Sequence, residues 1–285
     1  MHQEDGALKK FKRSARLVEM TQYLLNRPQS LIPLTTFAEK YGSAKSSISE
    51  DLAIIKEVFA EEGLGELQTL AGAAGGVKYI PKLPFSESLR IVDHICKQLK
   101  QPERILPGGY LYMSDVLGQP ARLYELGRIF ASAFVDLHAD VVMTVETKGI
   151  PLAYATAMFL NIPVVIVRRD SRVSEGSAVS INYVSSSSRQ IQTMSLARRA
   201  LKEQANVIIV DDFMRAGGTI RGMMDLLAEF NAVVKGIGVF VESEDVEEHM
   251  VDDYISLARL SGVDSRTKEI SVMPGNYFDK GGIKP

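Results

Sequence analysis

The fold of this chain is decided by residues 207–219, which have the sequence VIIVDDFMRAGGT. Four apolar residues, Val207 to Val210, predict a strand buried on both faces, as in a parallel sheet. Asp211 and Asp212 follow at the carboxyl end of that strand, where open α/β sheets bind their ligands. The glycine-rich turn after them opens a helix, whose free N–H groups and dipole attract an anion. The stretch therefore predicts a site for a ligand that offers a diol to the carboxylates and a phosphate to the turn. The alternative is a strand, turn and helix that carry two acids by coincidence.

The sequence around this stretch alternates strand and helix patterns from residue 85 onward. Apolar runs typical of buried parallel strands lie at 141–145, 163–167 and 237–241, with a weaker run at 270–273. Helical patterns fall between the runs, near 121–137, 152–160, 194–203, 220–230 and 246–260. This alternation predicts an α/β domain built on a parallel sheet.

The first eighty residues follow a different pattern, with three helices and then a hairpin. The second of these helices covers 34–41 and ends at Gly42. The third begins at about Ser43 and has Ile48 on its buried stripe. This spacing is typical of a helix-turn-helix, and the hairpin after it, with its tip at 73–76, is typical of a wing. An ordinary helix hairpin is the alternative. Because prolines follow the hairpin, we place the boundary between a domain at 1–82 and a domain at 83–285.

Duplex DNA is the predicted partner of the first domain. The start of the second helix of the motif exposes short polar side chains and free N–H groups, which can meet phosphates and base edges. A basic arm precedes the first helix, although such an arm is also typical of a solvated helix start. The candidate DNA-binding residues are Lys10, Lys12, Arg13, Arg16, Lys45, Ser46, Ser47, Ser49 and Lys78.

Composition excludes several classes of protein. Hydrophobic residues make up 46% of the 285 residues and charged residues 24%, which excludes a disordered or fibrous chain. The longest apolar run is far short of the roughly 18 residues that a membrane helix needs. No apolar stretch follows the first basic residues as in a secretory signal, so we expect a cytoplasmic location. With Cys96 as the single cysteine and the four histidines scattered, we expect neither a disulfide nor a metal site.

Residues 207–219 resemble the type I phosphoribosyltransferase signature for 5-phosphoribosyl 1-diphosphate (PRPP) at all thirteen positions. In that family the paired acids hold the ribose hydroxyls and the loop holds the 5-phosphate. The stretch 146–151 resembles the loop that holds the diphosphate. The resemblance implies a PRPP site formed by Thr147, Lys148, Gly149, Asp211, Asp212, Phe213, Met214, Arg215, Ala216, Gly217, Gly218 and Thr219. Tyr110 either joins this site or packs beside the sheet. The serine-rich segment 171–192, which composition alone leaves as either functional or disordered, lies where the family has a mobile flap.

The whole chain resembles the purine operon repressors of Gram-positive bacteria from about residue 11 to 260. The resemblance is carried by FKRSARLVEMTQYLL, YGSAKSSISEDL, ILPGGYLYMSDVLG, VMTVETKGIPLAYA, VSINYVSSSS and VIIVDDFMRAGGTI. It implies a winged-helix domain fused to a type I phosphoribosyltransferase-like domain, in a homodimer that acts away from the membrane. It also implies binding to operators of purine genes, release by PRPP, and guanosine tetraphosphate as a corepressor in the same pocket. No cofactor is required, but we expect Mg²⁺ to assist PRPP, because hard oxygen ligands suit that ion.

A working purine phosphoribosyltransferase with an accessory N-terminal domain is the alternative function. Enzymes that act on 6-oxopurines commonly have an acid three residues after the second carboxylate, and this chain has Arg215 there. An arginine stays protonated at neutral pH and cannot serve as a general base. We therefore expect a PRPP sensor without catalytic residues.

Overall fold

A computed structural model describes residues 11–72, 75–106, 110–169, 176–184, 190–246, 248–264, 267 and 269–279. The described residues before Pro84, together with Phe159–Asn161, form one unit, and the other described residues form a second. Lys10, Ala73 at the expected wing tip, and parts of the serine-rich segment lie outside the described residues.

The first unit contains the helices and hairpin that the sequence predicts. Its elements are α1 (Arg13–Leu25), β1 (Leu31–Ile32), α2 (Leu34–Tyr41), α3 (Lys45–Glu61), β2 (Glu66–Leu70) and β3 (Gly76–Ile80). The strands pair antiparallel in the order β1-β3-β2, so the short strand β1 extends the predicted hairpin into a three-stranded sheet. A helix-turn-helix followed by a wing is therefore confirmed.

The core of the first unit lies under the apolar stripe of α3. Ile48, Leu52, Ile55 and Phe59, which recur at helical spacing, are all buried. They belong to one cluster with apolar residues of α1, α2, β2 and β3, including two large aromatic side chains of α2. Burying these side chains against each other fixes α3 relative to α1 and α2, because each one stabilises the fold by about 1.5 to 3 kcal/mol.

A buried ion pair also joins α1 to α3. The Asp51 side chain is only 1% exposed, and its two oxygens accept hydrogen bonds from Arg13 Nε and Arg16 Nε, each at 2.9 Å. The Arg16 side chain is itself only 13% exposed. The two arginines, which are candidate DNA-binding residues, therefore also have a structural role. A buried carboxylate needs charged partners, and the sequence alone does not show that Asp51 is buried.

The second unit is built on strands and helices that alternate along the chain. Its elements are α4 (Phe85–Leu99), β4 (Ile105–Leu106), β5 (Tyr110–Leu111), α5 (Ser114–Leu117), α6 (Pro120–Phe134), β6 (Val141–Val145), α7 (Gly149–Leu160), β7 (Val164–Val167), β8 (Ala178–Val184), β9 (Ile191–Ala197), β10 (Asn206–Met214), α8 (Gly218–Ala228), β11 (Val233–Ser243), β12 (Ile255–Asp264), β13 (Glu269–Pro274) and α9 (Asn276–Asp279).

One six-stranded sheet organises the second unit, in the order β13-β12-β11-β10-β6-β7. Five of its strands, β12, β11, β10, β6 and β7, are parallel, and β10 lies between β6 and β11. Apolar side chains of these strands share a buried cluster with the inner face of α8. The predicted parallel-sheet α/β architecture is thus confirmed. No helix in the described parts of the chain has both the length and the apolar character that a bilayer span requires.

Three predictions about the strands of the second unit were wrong. The helices expected near 194–203 and 246–260 are replaced by β9, with a short 3-10 turn at Arg198–Ala200, and by β12. Both segments contain Leu, Ala and Arg, which favour helix locally, but pairing with β8 and with β11 overrides that preference. The strand at 270–273 exists as β13, but it runs antiparallel to β12 rather than parallel. In addition, β8 lies inside the serine-rich segment that we treated as a loop.

We predict that Asp51→Ala lowers the stability of the first unit by about 3 kcal/mol, because it leaves two arginines, one of them largely buried, without their carboxylate. Hydrogen exchange of the amides in α1 and α3 measures this loss in the full chain. Glu50→Ala is the matched control, since Glu50 is the next residue but is 72% exposed and lies 3.9 Å from Arg13. Equal losses in the two variants would show that the buried pair has no special role.

Candidate functional site

A cavity of about 1300 Å³ opens at the carboxyl edge of the parallel strands. The ends of β6, β10 and β11, Arg169 after β7, and the first turn of α8 all contribute to its wall, because parallel strands end at one edge. Predicted PRPP-binding residues that line it are Tyr110, Thr147, Lys148, Asp211, Asp212, Phe213, Met214, Arg215, Gly217, Gly218 and Thr219. The structure therefore brings these residues into one place.

Two further predicted residues stand behind the wall. A side chain at Gly149 would place its Cβ 2.4 Å from Thr144 Oγ1 and 3.0 Å from Asp211 Oδ1, so only glycine fits there. The carbonyl of Ala216 accepts a hydrogen bond of 2.8 Å from the N–H of Met250. Gly149 and Ala216 thus shape the cavity through the backbone.

The acid pair in the last four residues of β10 is electrostatically unfavourable in the ligand-free protein. Asp211 is only 4% exposed, and its Oδ1 accepts a hydrogen bond of 3.0 Å from the N–H of Asp212. Burial, followed by the charge of Asp212, raises the pKa of Asp211 well above its usual range. Burial also raises the pKa of Asp212, while the hydrogen bond with Asp211 and the charge of Lys148 act against that rise. Hydroxyl donors from a ligand would relieve this cost by hydrogen bonding to the ionised oxygens.

The turn before α8 is shaped to hold an anion. Gly217 has a φ of +85°, in the left-handed region that favours glycine, and a Cβ there would lie 3.3 Å from Val251 Cγ2. The helix starts at Gly218 without a side-chain cap, and the first N–H groups of a helix find no acceptor within the helix itself. Gly218 and Thr219 both face the cavity. A phosphate is the natural ligand for such a helix start.

Besides Arg215, which was predicted, two cationic residues among those described line the cavity. Lys148, from the loop after β6, was predicted, whereas Arg169, which follows β7, was missed. The backbone N–H of Arg169 donates a hydrogen bond of 2.6 Å to Glu146 Oε1, and Arg168 lies 3.6 Å from Glu146 Oε2. The available signal was a pair of arginines directly after an apolar strand, at the edge where the other strands end. Arg169 adds positive charge suited to a phosphorylated ligand.

Arg215 and Tyr110 occupy the outer part of the cavity. Arg215 is exposed, and its Nη2 lies 3.6 Å from Asp245 Oδ2, so its charge is shared with a carboxylate rather than buried. Tyr110 is exposed and lines the cavity, which favours the pocket role over packing beside the sheet. Asp245 and residues 260–263 of β12 also line the wall and were missed, because the helix predicted at 246–260 left no strand to bring them to this edge.

The candidate DNA-binding residues lie on the first unit. At the start of α3, Lys45, Ser46 and Ser49 are exposed, Ser47 is half-buried, and Ile48 between them is buried as expected. Lys12 is exposed just before α1, and Lys78 is half-buried on β3. Arg13 keeps about half of its side chain exposed beside its ion pair with Asp51. Within the described residues, no group of three or more His, Cys, Asp or Glu side chains could hold a metal ion.

We predict that Asp211→Asn raises the free energy of unfolding of the ligand-free protein by about 1 to 2 kcal/mol at pH 8, because it removes a buried charge. Since the folded-state pKa of Asp211 is raised, the wild type loses stability as the pH rises above the ordinary value of 3.8, and the asparagine does not titrate. The gain should therefore shrink at pH 4.5. Denaturant unfolding at both pH values measures it.

Asp245→Asn is the control for that experiment, since Asp245 lines the same cavity but is 82% exposed. Its effect should stay within about 0.5 kcal/mol at either pH, as for other surface substitutions. An Asp211→Asn variant that is less stable than the wild type at pH 8 would contradict the account of the acid pair.

Both units match known protein families. Residues 12–81 match the family described as bacterial purine repressor, N-terminal, and residues 113–268 match the phosphoribosyl transferase domain. The chain is 60% identical over 269 residues to the purine biosynthesis transcriptional repressor of Bacillus subtilis, covering 94% of each chain. It is 43% identical over 268 residues to the purine biosynthesis transcriptional activator of Lactococcus lactis, covering 94% of this chain and 99% of that one.

A solved structure shares the fold alone. The adenine phosphoribosyltransferase of Thermoanaerobacter pseudethanolicus superposes with a TM-score of 0.52 at 20% identity, covering 59% of this chain and 99% of that one. The matched domains and the full-length identity to the Bacillus subtilis protein agree with the winged unit and the cavity described above. The chain belongs to the bacterial purine repressor family.

Proposed function

We propose that this protein is a DNA-binding repressor of purine biosynthesis genes that PRPP releases from its operator. The observation that carries the proposal is the acid pair Asp211 and Asp212 beside the anion-binding turn 215–219, in a chain that also contains a winged helix-turn-helix. The phosphoribosyltransferase fold then serves as the sensor of PRPP, and the first unit binds or releases DNA according to whether PRPP is bound.

Each part of PRPP has a matching part of the cavity. The ribose hydroxyls donate to the carboxylates of Asp211 and Asp212, and the 5-phosphate accepts from the N–H groups at the start of α8. The diphosphate lies toward Lys148 and Arg169, whose positive charges offset its own. The carboxylates and the phosphates together supply the hard oxygen atoms that Mg²⁺ prefers, so the ion would reduce the charge of the ligand when bound.

Guanosine tetraphosphate is the proposed corepressor in the same cavity. It also presents phosphate groups and a ribose, and the cavity of about 1300 Å³ is larger than the roughly 300–1,000 Å³ typical of small-molecule sites. Because both ligands need the turn and the cations, they exclude each other. Competition between them would let one pocket report two opposite metabolic signals.

The site favours a sensor over an enzyme. Transfer to a purine requires a group that moves a proton on the base, and the position where oxopurine enzymes commonly have an acid is occupied by Arg215, a residue type that cannot act as a general base. The full-length relatives are also named as regulators of transcription rather than as enzymes. A protein that binds PRPP without consuming it reports the PRPP concentration faithfully.

The first unit would bind operator DNA as part of a homodimer in the bacterial cytoplasm, where the chromosome lies. Two copies related by a two-fold axis would present two α3 helices to two half-sites of the operator. We assign DNA binding to residues 1–82 and effector binding to 83–285. Repression rather than activation is favoured by the higher identity to the Bacillus subtilis repressor, 60%, than to the Lactococcus lactis activator, 43%.

We predict that PRPP with Mg²⁺ weakens operator binding of the wild type by a factor of about 5 to 150, the usual range of allosteric coupling. Asp211→Ala combined with Asp212→Ala should keep the operator affinity of the ligand-free protein but respond to PRPP less than about twofold, since the pair contacts the ligand and not DNA. Fluorescence anisotropy of a labelled operator fragment measures both values.

Asp225→Ala is the control, because Asp225 is a surface carboxylate of α8 paired with Arg221 and does not line the cavity. It should respond to PRPP as the wild type does. A double variant that still releases DNA at the wild-type PRPP concentration would disprove the site.

We predict that Lys45→Ala reduces the slope of log affinity against log salt by about 0.9, the value expected when one lysine no longer neutralises a phosphate. Lys56→Ala should leave the slope unchanged, because Lys56 is exposed on the same helix but lies three turns further from the start of α3. Operator titrations between 50 and 200 mM salt give the slopes. The same reduction in both variants would mean that α3 does not approach DNA by its start.

A further inference from the structure

The segment that joins β11 to β12 supports the anion-binding turn from behind. We call its described residues 248–254 the supporting segment. The N–H of Met250 donates a hydrogen bond of 2.8 Å to the carbonyl of Ala216, and the buried Val251 packs where a side chain at Gly217 would lie. The backbone of the turn is therefore held by two contacts with residues that do not themselves line the cavity.

The end of the supporting segment is anchored to the sheet by Tyr254. Its hydroxyl donates a short hydrogen bond to Glu242 Oε2, and both side chains are buried. Glu242 is the penultimate residue of β11, and Tyr254 lies directly before β12. The bond therefore ties the two ends of the connection to each other.

Glu242 is a rigid anchor, because other donors fix it. Its Oε1 accepts hydrogen bonds from Ser256 Oγ at 2.7 Å and from Arg259 Nε at 3.0 Å. Arg259 also donates to Asp279 Oδ2 of α9 at 2.8 Å. Burial and the bond to Glu242 raise the pKa of Tyr254, so the hydroxyl keeps its proton and remains the donor. A fully paired buried network of this kind favours one arrangement of the chain.

We propose that Tyr254 is a positioning residue for the effector phosphate: its bond to Glu242 holds the supporting segment against Ala216 and Gly217. Without that bond the supporting segment becomes more mobile, and the N–H groups of the turn are less well preorganised to bind a phosphate. Preset donors bind a phosphate more tightly than donors that must first be ordered. The identity of the ligand in this proposal rests on the proposed function.

Tyr254→Phe tests the proposal, because it removes the hydroxyl and keeps the ring. Calorimetric titration with Mg²⁺ and three probes separates the parts of the cavity: PRPP, ribose 5-phosphate and inorganic pyrophosphate. We expect about tenfold weaker binding of PRPP and of ribose 5-phosphate, as when a supporting hydrogen bond is removed behind a metal ligand. Pyrophosphate binding should be unchanged, since Lys148 and Arg169 have no contact with the supporting segment among those described.

Tyr79→Phe is the matched control, because it removes another tyrosine hydroxyl bond, to the Leu64 carbonyl at 2.8 Å in the first unit. It should leave all three affinities as in the wild type. Val251→Ala, which trims the packing against Gly217, should reproduce the selective loss and serves if Tyr254→Phe does not fold.

Equal weakening of all three probes in Tyr254→Phe would indicate general damage to the second unit and would overturn the positioning role. Unchanged affinities would overturn it as well. In both cases a wild type that binds PRPP leaves the proposed function standing. A wild type that binds neither PRPP nor ribose 5-phosphate would overturn the proposed function, and this inference with it.

Discussion

The buried carboxylate of Asp211, next to the carboxylate of Asp212 in a central strand, is the constraint on which the ligand site depends. Burial and the neighbouring charge raise its pKa, so the ligand-free protein keeps a group there that opposes folding when ionised. The order of the parallel strands brings Lys148, Arg169 and the start of α8 to the edge of the sheet where the acid pair lies. A ligand with hydroxyls and phosphates would satisfy acids, cations and N–H groups together, which is the basis for assigning PRPP to this cavity.

A sensor needs binding energy that depends on the state of the DNA-binding unit. PRPP can change the affinity for the operator only if it binds the free protein and the DNA-bound protein with different free energies. The core of the first unit and the buried Asp51 ion pair fix α3 to α1, so the DNA-binding helix keeps its place within that unit. In the proposed sensor, an arginine at position 215 cannot act as a general base, so PRPP would be bound and released unchanged.

Local sequence predicted the site better than it predicted the sheet. Residues 207–219 specify strand, acids and turn within thirteen positions, so their structure depends little on distant parts of the chain. The strands β9 and β12 were predicted as helices, because their residues favour helix until strand pairing across the fold decides otherwise. The partners of Asp51 lie 38 and 35 residues away in sequence, and no local pattern reveals such a bond. Arg169 was missed for a related reason: its place at the cavity depends on the position of β7 in the sheet.

The most direct test of the account is the affinity of the protein for PRPP, measured by calorimetry with and without a saturating operator fragment. If the cavity controls DNA binding, linkage requires operator DNA to weaken PRPP binding by the same factor by which PRPP weakens operator binding. The account predicts that factor, and equal PRPP affinities for the free and the DNA-bound protein would contradict it.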